Sequence, residues 1–212
     1  MKEKEFIDNY RDLPIRRYLD IVRLCERDMP EVDRKVAILA ILSGKSEDEV
    51  LNLPLAKFTE WSAKARFIER ECPDNLIPGV SRNYPIGSFV LLPQTDIRKI
   101  TAAQYIDFKT YAEDKAHNIV EMISCFLIPR GMDYGDGYDV ADVHEAIRTE
   151  LSVADCLALC AFFFRQWAVS IRDTLTYSIR LSRKIKDKET REEVQARTKE
   201  AMDLLKNGVG LQ

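Results

Sequence analysis

Residues 153–185, VADCLALCAFFFRQWAVSIRDTLTYSIRLSRKI, are the stretch that decides the fold class of this chain. Ser152 precedes it as a candidate N-cap, and the stretch predicts a single helix of roughly 30 residues. Its most apolar part, residues 153–164, contains Asp155 and is followed by Arg165. That part is about a dozen residues long, whereas a membrane span needs roughly 20. We interpret it as a buried core helix and expect no membrane association.

The aromatic group within this helix consists of Phe162, Phe163, Phe164 and Trp167. Successive helical residues are about 100° apart, so three consecutive phenylalanines cannot all face one narrow seam. Either the helix is central to its domain, or part of it meets another subunit. Only Arg165 interleaves with the rings, which argues against stacking on nucleic acid.

A charged segment, DKETREEVQARTKEAMDLLKN, follows the long helix and also has helical spacing. Its apolar stripe includes Val194, Ala201 and Leu205, which predict a helix laid in a partner's groove or packed on its own domain. Near the end of the long helix lies the densest positive cluster: Arg180, Arg183, Lys184, Lys186 and Lys188. These cations either solvate a helix end or touch phosphate, and solvation is the simpler interpretation.

Residues 1–71 predict a compact helical module with short turns. Gly44 is expected to stop its second helix, Ser46 and Glu49 form a candidate capping box, and Pro54 suits the first position of a helix that continues to Cys72.

Residues 72–100 are rich in proline and glycine, and GSFVLLP is the clearest strand, with a hairpin partner in GVSRNY or RKIT. Residues 101–212 return to helix: Thr101 is a candidate cap, and AHNIVEMISCFLIP predicts a helix ended by Pro129. The predicted fold is mainly α, with helical domains and a small β-hairpin or strand element near residues 80–100.

The loop DYGDGYD, residues 133–139, raises the question of calcium. Neither register places an EF-hand's acidic residues and its Glu at the required positions, although a looser oxygen site from Asp133, Asp136 and Asp139 stays open. Asp139 instead suits the N-cap of the next helix, and Gly135 and Gly137 permit turns with positive φ.

Zinc ligation and nucleophilic catalysis have little support in the sequence. Cys156 and Cys160 share a helix face downstream of His144, but no fourth ligand follows, and small buried thiols are ordinary in apolar helices. His117 and His144 are the two histidines, and the Ser124–Cys125 pair falls inside a predicted helix. No phosphate-binding loop, dinucleotide fingerprint or nucleophile turn is present. We therefore predict no catalytic residue, no metal, no cofactor and no enzymatic activity.

The composition is that of a soluble intracellular protein. Its 212 residues are 46% apolar and 32% charged, and a net charge of -3 gives no reason to expect nucleic acid as a partner. The five cysteines include no CxxC pair, and MKEKEFIDNY lacks the apolar region of a signal peptide. Reduced thiols in a cytoplasmic setting are expected.

Two parts of the chain are similar to phage proteins. LAILSGKSEDEVLNLPLAKFTEW resembles the helical segment of tailed-phage tail assembly chaperones, in which a leucine-rich helix, a glycine stop, an acidic turn and a Leu/Phe helix follow in order. ITAAQYIDFKTYAED, SCFLIPRGMDYGDGYDVADVHEAI and LSVADCLALCAFFF resemble proteins of the virion and tail genes of phages and prophages of gut Bacteroidales.

This resemblance implies a non-enzymatic role as a tail or neck subunit or as a tail assembly chaperone. It implies other tail or neck proteins as partners, and a place in the host cytoplasm during assembly or in the virion. We expect a homo-oligomer, with Tyr134 and Tyr138 in an exposed contact loop. The alternative is a small intracellular module that uses residues 133–144 to bind a ligand or metal or to catalyse a reaction.

Overall fold

The structure is a computed structural model that describes residues 6–183 and 186–208, without the side chains of residues 171, 191 and 201–208. Its α-helices, in chain order, are α1 (Ile15–Cys25), α2 (Glu31–Ser43), α3 (Glu47–Leu51), α4 (Leu55–Lys64), α5 (Ala102–Tyr111), α6 (Ile119–Ser124), α7 (Val140–Glu150), α8 (Val153–Ser182) and α9 (Lys188–Gly208). Short 3-10 helices cover Ala65–Glu69, Asp74–Leu76, Ile97–Lys99 and Ala112–Asp114. The predicted mainly α fold with a small β element is confirmed.

The β element is a three-stranded antiparallel sheet in the order β1 (Tyr84–Ile86), β2 (Phe89–Pro93) and β3 (Leu127–Pro129). Strand β2 is the predicted strand, and β1 begins at the last residue of GVSRNY. RKIT, the other candidate hairpin partner, lies instead at a 3-10 turn.

The helix predicted to continue to Pro129 is wrong. Helix α6 ends at Ser124, and the apolar residues after it form β3, where Ile128 pairs with Leu92 of β2. Apolar residues satisfy both a short buried helix and a buried strand, so the sequence pattern alone does not separate the two. Pairing with β2 gives the backbone of these residues its hydrogen-bond partners.

Helix boundaries set by local hydrogen bonds agree with the sequence. The Ser46 hydroxyl accepts the Glu49 amide at 3.2 Å, and the Thr101 hydroxyl accepts the Gln104 amide at the same distance. Gly44 ends α2 with φ +71°, a conformation that glycine adopts without strain. Pro54 is an N-cap rather than the first helical residue, and the predicted helix after it becomes 3-10 at Ala65–Glu69.

Contacts group the chain into two units. Unit 1 comprises Met1–Pro93 and Thr101–Cys160, and unit 2 comprises Gln94–Ile100 and Ala161–Gln212. The division into residues 1–71, 72–100 and 101–212 was predicted from changes in composition along the sequence, whereas the two units are defined by contacts. The predicted division stays a prediction.

Unit 1 contains the larger described core. Its most completely buried side chains are Leu13, Ile15, Ile21, Leu39, Leu42, Trp61, Leu91, Ile123, Phe126, Leu127, Ile147 and Leu159. An isolated β-bridge joins Pro14 to Ser152, with the Ile15 amide donating to the Leu151 carbonyl at 2.9 Å. The Val153 amide donates to the Leu13 carbonyl at 2.9 Å, so the chain before α1 is fixed to the start of α8.

Among the described residues, α8 is one helix that is long and apolar enough, by length and composition, to cross a membrane. A core helix of a soluble protein passes the same test. Within unit 1, Ala154, Cys156 and Leu159 are fully buried, as in a core helix.

In unit 2 the aromatic group of α8 divides between environments. Phe163 is buried, Phe162 and Trp167 are half-buried, and Phe164 is exposed. The sequence-based interpretation that three consecutive phenylalanines face different directions is therefore correct.

Candidate functional site

The predicted contact loop, residues 133–139, is held to α5 by Tyr134 and braced internally by Tyr138. The Tyr134 hydroxyl donates to the Asp107 carboxylate of α5 at 2.8 Å and lies 3.8 Å from the Cys125 sulfur. The Tyr138 hydroxyl accepts the Gly135 amide at 3.4 Å. Burial raises the pKa of both phenols. Both rings are half-buried, whereas the other five residues of the loop are exposed, and partner binding by these tyrosines stays a prediction.

The acidic residues of the loop have separate positions. Asp139 caps α7 by accepting the Ala141 amide at 2.8 Å, as predicted, while Asp133 and Asp136 are exposed. Gly135 and Gly137 have φ of +74° and +80°, which confirms the predicted turns. Within residues 6–183 and the described part of 186–208, no group of three or more His, Cys, Asp or Glu side chains is arranged to hold a metal ion.

Sequence reasoning missed a polar cluster between α6 and α7, because its contacts join residues that are 20 and 27 positions apart in sequence on two different helices. We call it the α6–α7 cluster; its members are Glu121, Ser124, Cys125, His144 and Arg148. The Ser124 oxygen lies 2.6 Å from His144 Nε2, and the Ser124 hydroxyl donates to the Glu121 carbonyl at 2.8 Å. The serine hydroxyl has one proton, and it donates that proton to the carbonyl, which can only accept. His144 must therefore carry a proton on Nε2 and donate it to the Ser124 oxygen.

Burial lowers the pKa of His144, the Arg148 charge lowers it further, and Glu121 and Asp139 oppose both effects. The imidazole is therefore neutral at pH 7. Ser124 is only 2% exposed, so a substrate has no direct path to its hydroxyl. Because His144 Nε2 donates to Ser124 and both groups are withdrawn from solvent, the pair is a structural hydrogen bond.

The rest of the α6–α7 cluster is also structural in character. Glu121 forms an ion pair with Arg148, and its second carboxylate oxygen is buried without a hydrogen-bond partner among the described residues. Burial raises the pKa of Cys125 to about 12, which leaves its thiol protonated and a poor nucleophile. These contacts hold α6 and α7 together.

Unit 1 also has an open cleft with a volume of about 740 Å³, which we call the Tyr18 cleft. Apolar and aromatic side chains line most of it: Tyr10, Tyr18, Ile68, Ile77, Ile119, Val153 and Leu157. Glu69, Arg70, Glu71 and Lys115 add charges of both signs. A volume of this size is within the usual range of roughly 300–1,000 Å³ for small-molecule sites.

Tyr10 shapes one side of the Tyr18 cleft. Its hydroxyl donates to the Arg70 carbonyl at 2.8 Å, and its ring meets Phe67 edge to face with centroids 5.1 Å apart. The Tyr18 ring lies 6.4 Å from the Tyr10 ring in a second edge contact. Because four distant chain segments build this cleft, no local sequence pattern indicated it.

Unit 2 exposes apolar side chains along α8. Tyr177 and Leu181 are 61% and 43% exposed, and their i, i+4 spacing places them on one face. Phe164 and Val169 are 36% and 37% exposed nearer the start of the helix. We call Tyr177 and Leu181 the α8 apolar pair.

The predicted stripe of α9 is described only at its start. Val194 is half-buried, and the neighbouring Gln195 donates to the Ser182 hydroxyl at 3.2 Å. The side chains of Ala201 and Leu205 lie outside the described residues, as does Lys184 of the basic cluster. The other basic residues of that cluster, Arg180, Arg183, Lys186 and Lys188, are exposed.

Comparison with known proteins found no match: no protein-family model, no curated protein and no solved structure is significantly similar to this chain.

Proposed function

We propose that the protein acts by protein–protein contact in the assembly of a phage tail or neck, as a tail or connector subunit or as a tail assembly chaperone. The resemblance of its sequence motifs to phage morphogenesis proteins supports the phage setting. The observation that carries the contact role is the α8 apolar pair, which presents a tyrosine and a leucine to solvent on one helix face.

The occupant we propose for this face is a second copy of the chain. A two-fold related copy brings the same patch opposite itself, so one helix face can bury both of its apolar residues without a different partner surface. Burying apolar area is favourable by roughly 25 cal/mol per Å². Tyrosine is also enriched where a protein contact is apolar at its centre and wet at its edge.

A catalytic role has weaker support. The Ser124–His144 contact is the arrangement closest to a catalytic pair, but Ser124 is 2% exposed, and His144 Nε2 donates to its hydroxyl instead of accepting its proton. An accessible contact face therefore favours assembly over chemistry.

Mass measurement in solution tests the proposal. We expect the wild-type chain to form an oligomer, and Tyr177→Ser combined with Leu181→Ser to shift it towards the monomer, because each substitution removes apolar area from the contact. Light scattering across a concentration series measures the change.

The matched control combines Val32→Ser and Leu55→Ser, which are 67% and 80% exposed apolar residues of unit 1. We expect this control to form an oligomer of the same mass as the wild type. If the wild type is a monomer that binds a tail or neck protein, that protein and not a second copy is the partner of the α8 apolar pair. A strict monomer without such a partner, or a double α8 variant of unchanged mass, would contradict the proposal.

A further inference from the structure

His117 lies between two carboxylates from different parts of unit 1. Its Nδ1 is 2.9 Å from an oxygen of Asp114, at the end of the 3-10 helix Ala112–Asp114. Its Nε2 is 3.1 Å from Glu26, the residue that caps the end of α1. The imidazole therefore bridges the α5–α6 connection and α1 through both of its ring nitrogens.

This geometry fits the imidazolium form. A neutral imidazole has one N–H donor, so one ring nitrogen would direct its lone pair at a carboxylate oxygen. The protonated ring has two donors and satisfies both carboxylates. The hydrogen bond that His117 donates to Asp114 and the charges of Asp114 and Glu26 raise the pKa of His117, although partial desolvation opposes them.

The bridge stands beside the Tyr18 cleft. Lys115, Ala116 and Ile119, which flank His117 in sequence, line this cleft, and so does Tyr18 of α1. A contact that joins the α5–α6 connection to α1 therefore joins two segments that line the same cavity.

We propose that His117 is a pH-controlled clamp on the Tyr18 cleft, closed by its proton and released when the proton is lost. On deprotonation the ring keeps one N–H donor. Asp114 is three residues away and also accepts the His117 amide at 3.3 Å, so this local contact persists. The contact with Glu26, 91 residues away in sequence, is the one that is released.

The pH range follows from the direction of the pKa shifts. A raised pKa of His117 means that the clamp is fully formed below the ordinary value of 6.5 and is lost as the pH rises through the raised value. The His117 hydrogen bond lowers the pKa of Asp114 from 3.8, so this carboxylate stays ionised across the same range. The clamp therefore opens in the alkaline direction.

The first test is an NMR titration of the full chain. Its two histidines give two sets of imidazole signals, which His144→Gln assigns. We expect the pKa of His117 to lie above that of an ordinary histidine and to fall in both Glu26→Gln and Asp114→Asn. Glu113→Gln, at an exposed neighbouring carboxylate, is the matched control and leaves it unchanged.

The second test is amide hydrogen exchange of residues 115–119 at matched pH in wild type and Glu26→Gln. Exposed ion pairs contribute little, so we expect roughly two- to fivefold faster exchange in the variant below the pKa of His117 and equal rates above it. A His117 pKa that Glu26→Gln leaves unchanged, or a rate difference of equal size on both sides of that pKa, would overturn the clamp.

Discussion

His144 lies in the α6–α7 cluster, where burial removes its imidazole from water and lowers its pKa. His117 lies between Asp114 and Glu26, and its pKa is raised. The same side chain therefore has opposite charge preferences at two places in unit 1. The lowered pKa of His144 follows from burial, which only the fold creates. The raised pKa of His117 comes first from Asp114, three residues earlier in sequence, and Glu26, which the fold brings to the ring, adds to it.

The lowered pKa of His144 predicts a pH dependence of stability. Below pH 6.5 the unfolded chain takes up a proton that the folded imidazole resists, so the free energy of unfolding falls as the pH drops towards the folded pKa. We expect His144→Gln to flatten this part of the profile, since glutamine does not titrate and can still donate to Ser124. Urea unfolding at a series of pH values between 5 and 8 measures it.

His117→Gln provides a control of opposite sign. Its raised pKa adds stability on the acid side, so the substitution removes stability at low pH and changes little at high pH. Equal pH profiles for wild type and His144→Gln would contradict the assignment of a buried neutral imidazole.

At the scale of elements, boundaries that depend on local hydrogen bonds were predictable from the sequence. Ser46, Thr101 and Asp139 each cap a helix by accepting an amide two or three residues ahead. Strand β3 was not predictable, because its identity depends on pairing with β2, which is distant in the chain. The same reason explains why both the α6–α7 cluster and the Tyr18 cleft were missed.

The loop before α7 offers a prediction about backbone conformation. Gly135 has φ +74° and Gly79 does not have a positive φ, yet a Cβ at either position meets nothing within 4 Å. Space is therefore equal, and only the left-handed backbone differs. We expect Gly135→Ala to lower the free energy of unfolding by about 1–2 kcal/mol.

Gly79→Ala is the matched control. It is expected to be neutral or to stabilise by up to about 1 kcal/mol, because alanine reduces the entropy of the unfolded chain. Urea unfolding of both variants at pH 7 measures the difference. Equal stabilities of the two variants would show that the loop relaxes around Gly135.

At the scale of the whole molecule, the mainly α fold was predictable because helix periodicity and caps recur along the chain. The grouping into two units was not, because α8 begins in unit 1 and continues into unit 2 without a break in helix. A boundary inside a continuous helix has no proline, glycine or polar linker to indicate it.

The two tryptophans report on the two units separately. Trp61 is fully buried in unit 1, whereas Trp167 is half-buried in unit 2. In Trp167→Phe only the buried Trp61 fluoresces, and we expect its emission maximum at a shorter wavelength. In Trp61→Phe only Trp167 fluoresces, and we expect a longer wavelength because its indole is nearer to water. Fluorescence spectra of the folded variants measure the difference, and identical emission maxima would contradict the burial of Trp61.

The backbone link between the segment before α1 and the start of α8 has a consequence for synthesis on the ribosome. The Leu13 carbonyl accepts the Val153 amide, and the Ile15 amide donates to the Leu151 carbonyl. The first residues of the core therefore bond to residues that are synthesised much later. Closing such a long loop is entropically expensive and slows folding. Unit 1 can complete its core only after the chain through the first turns of α8 has left the exit tunnel.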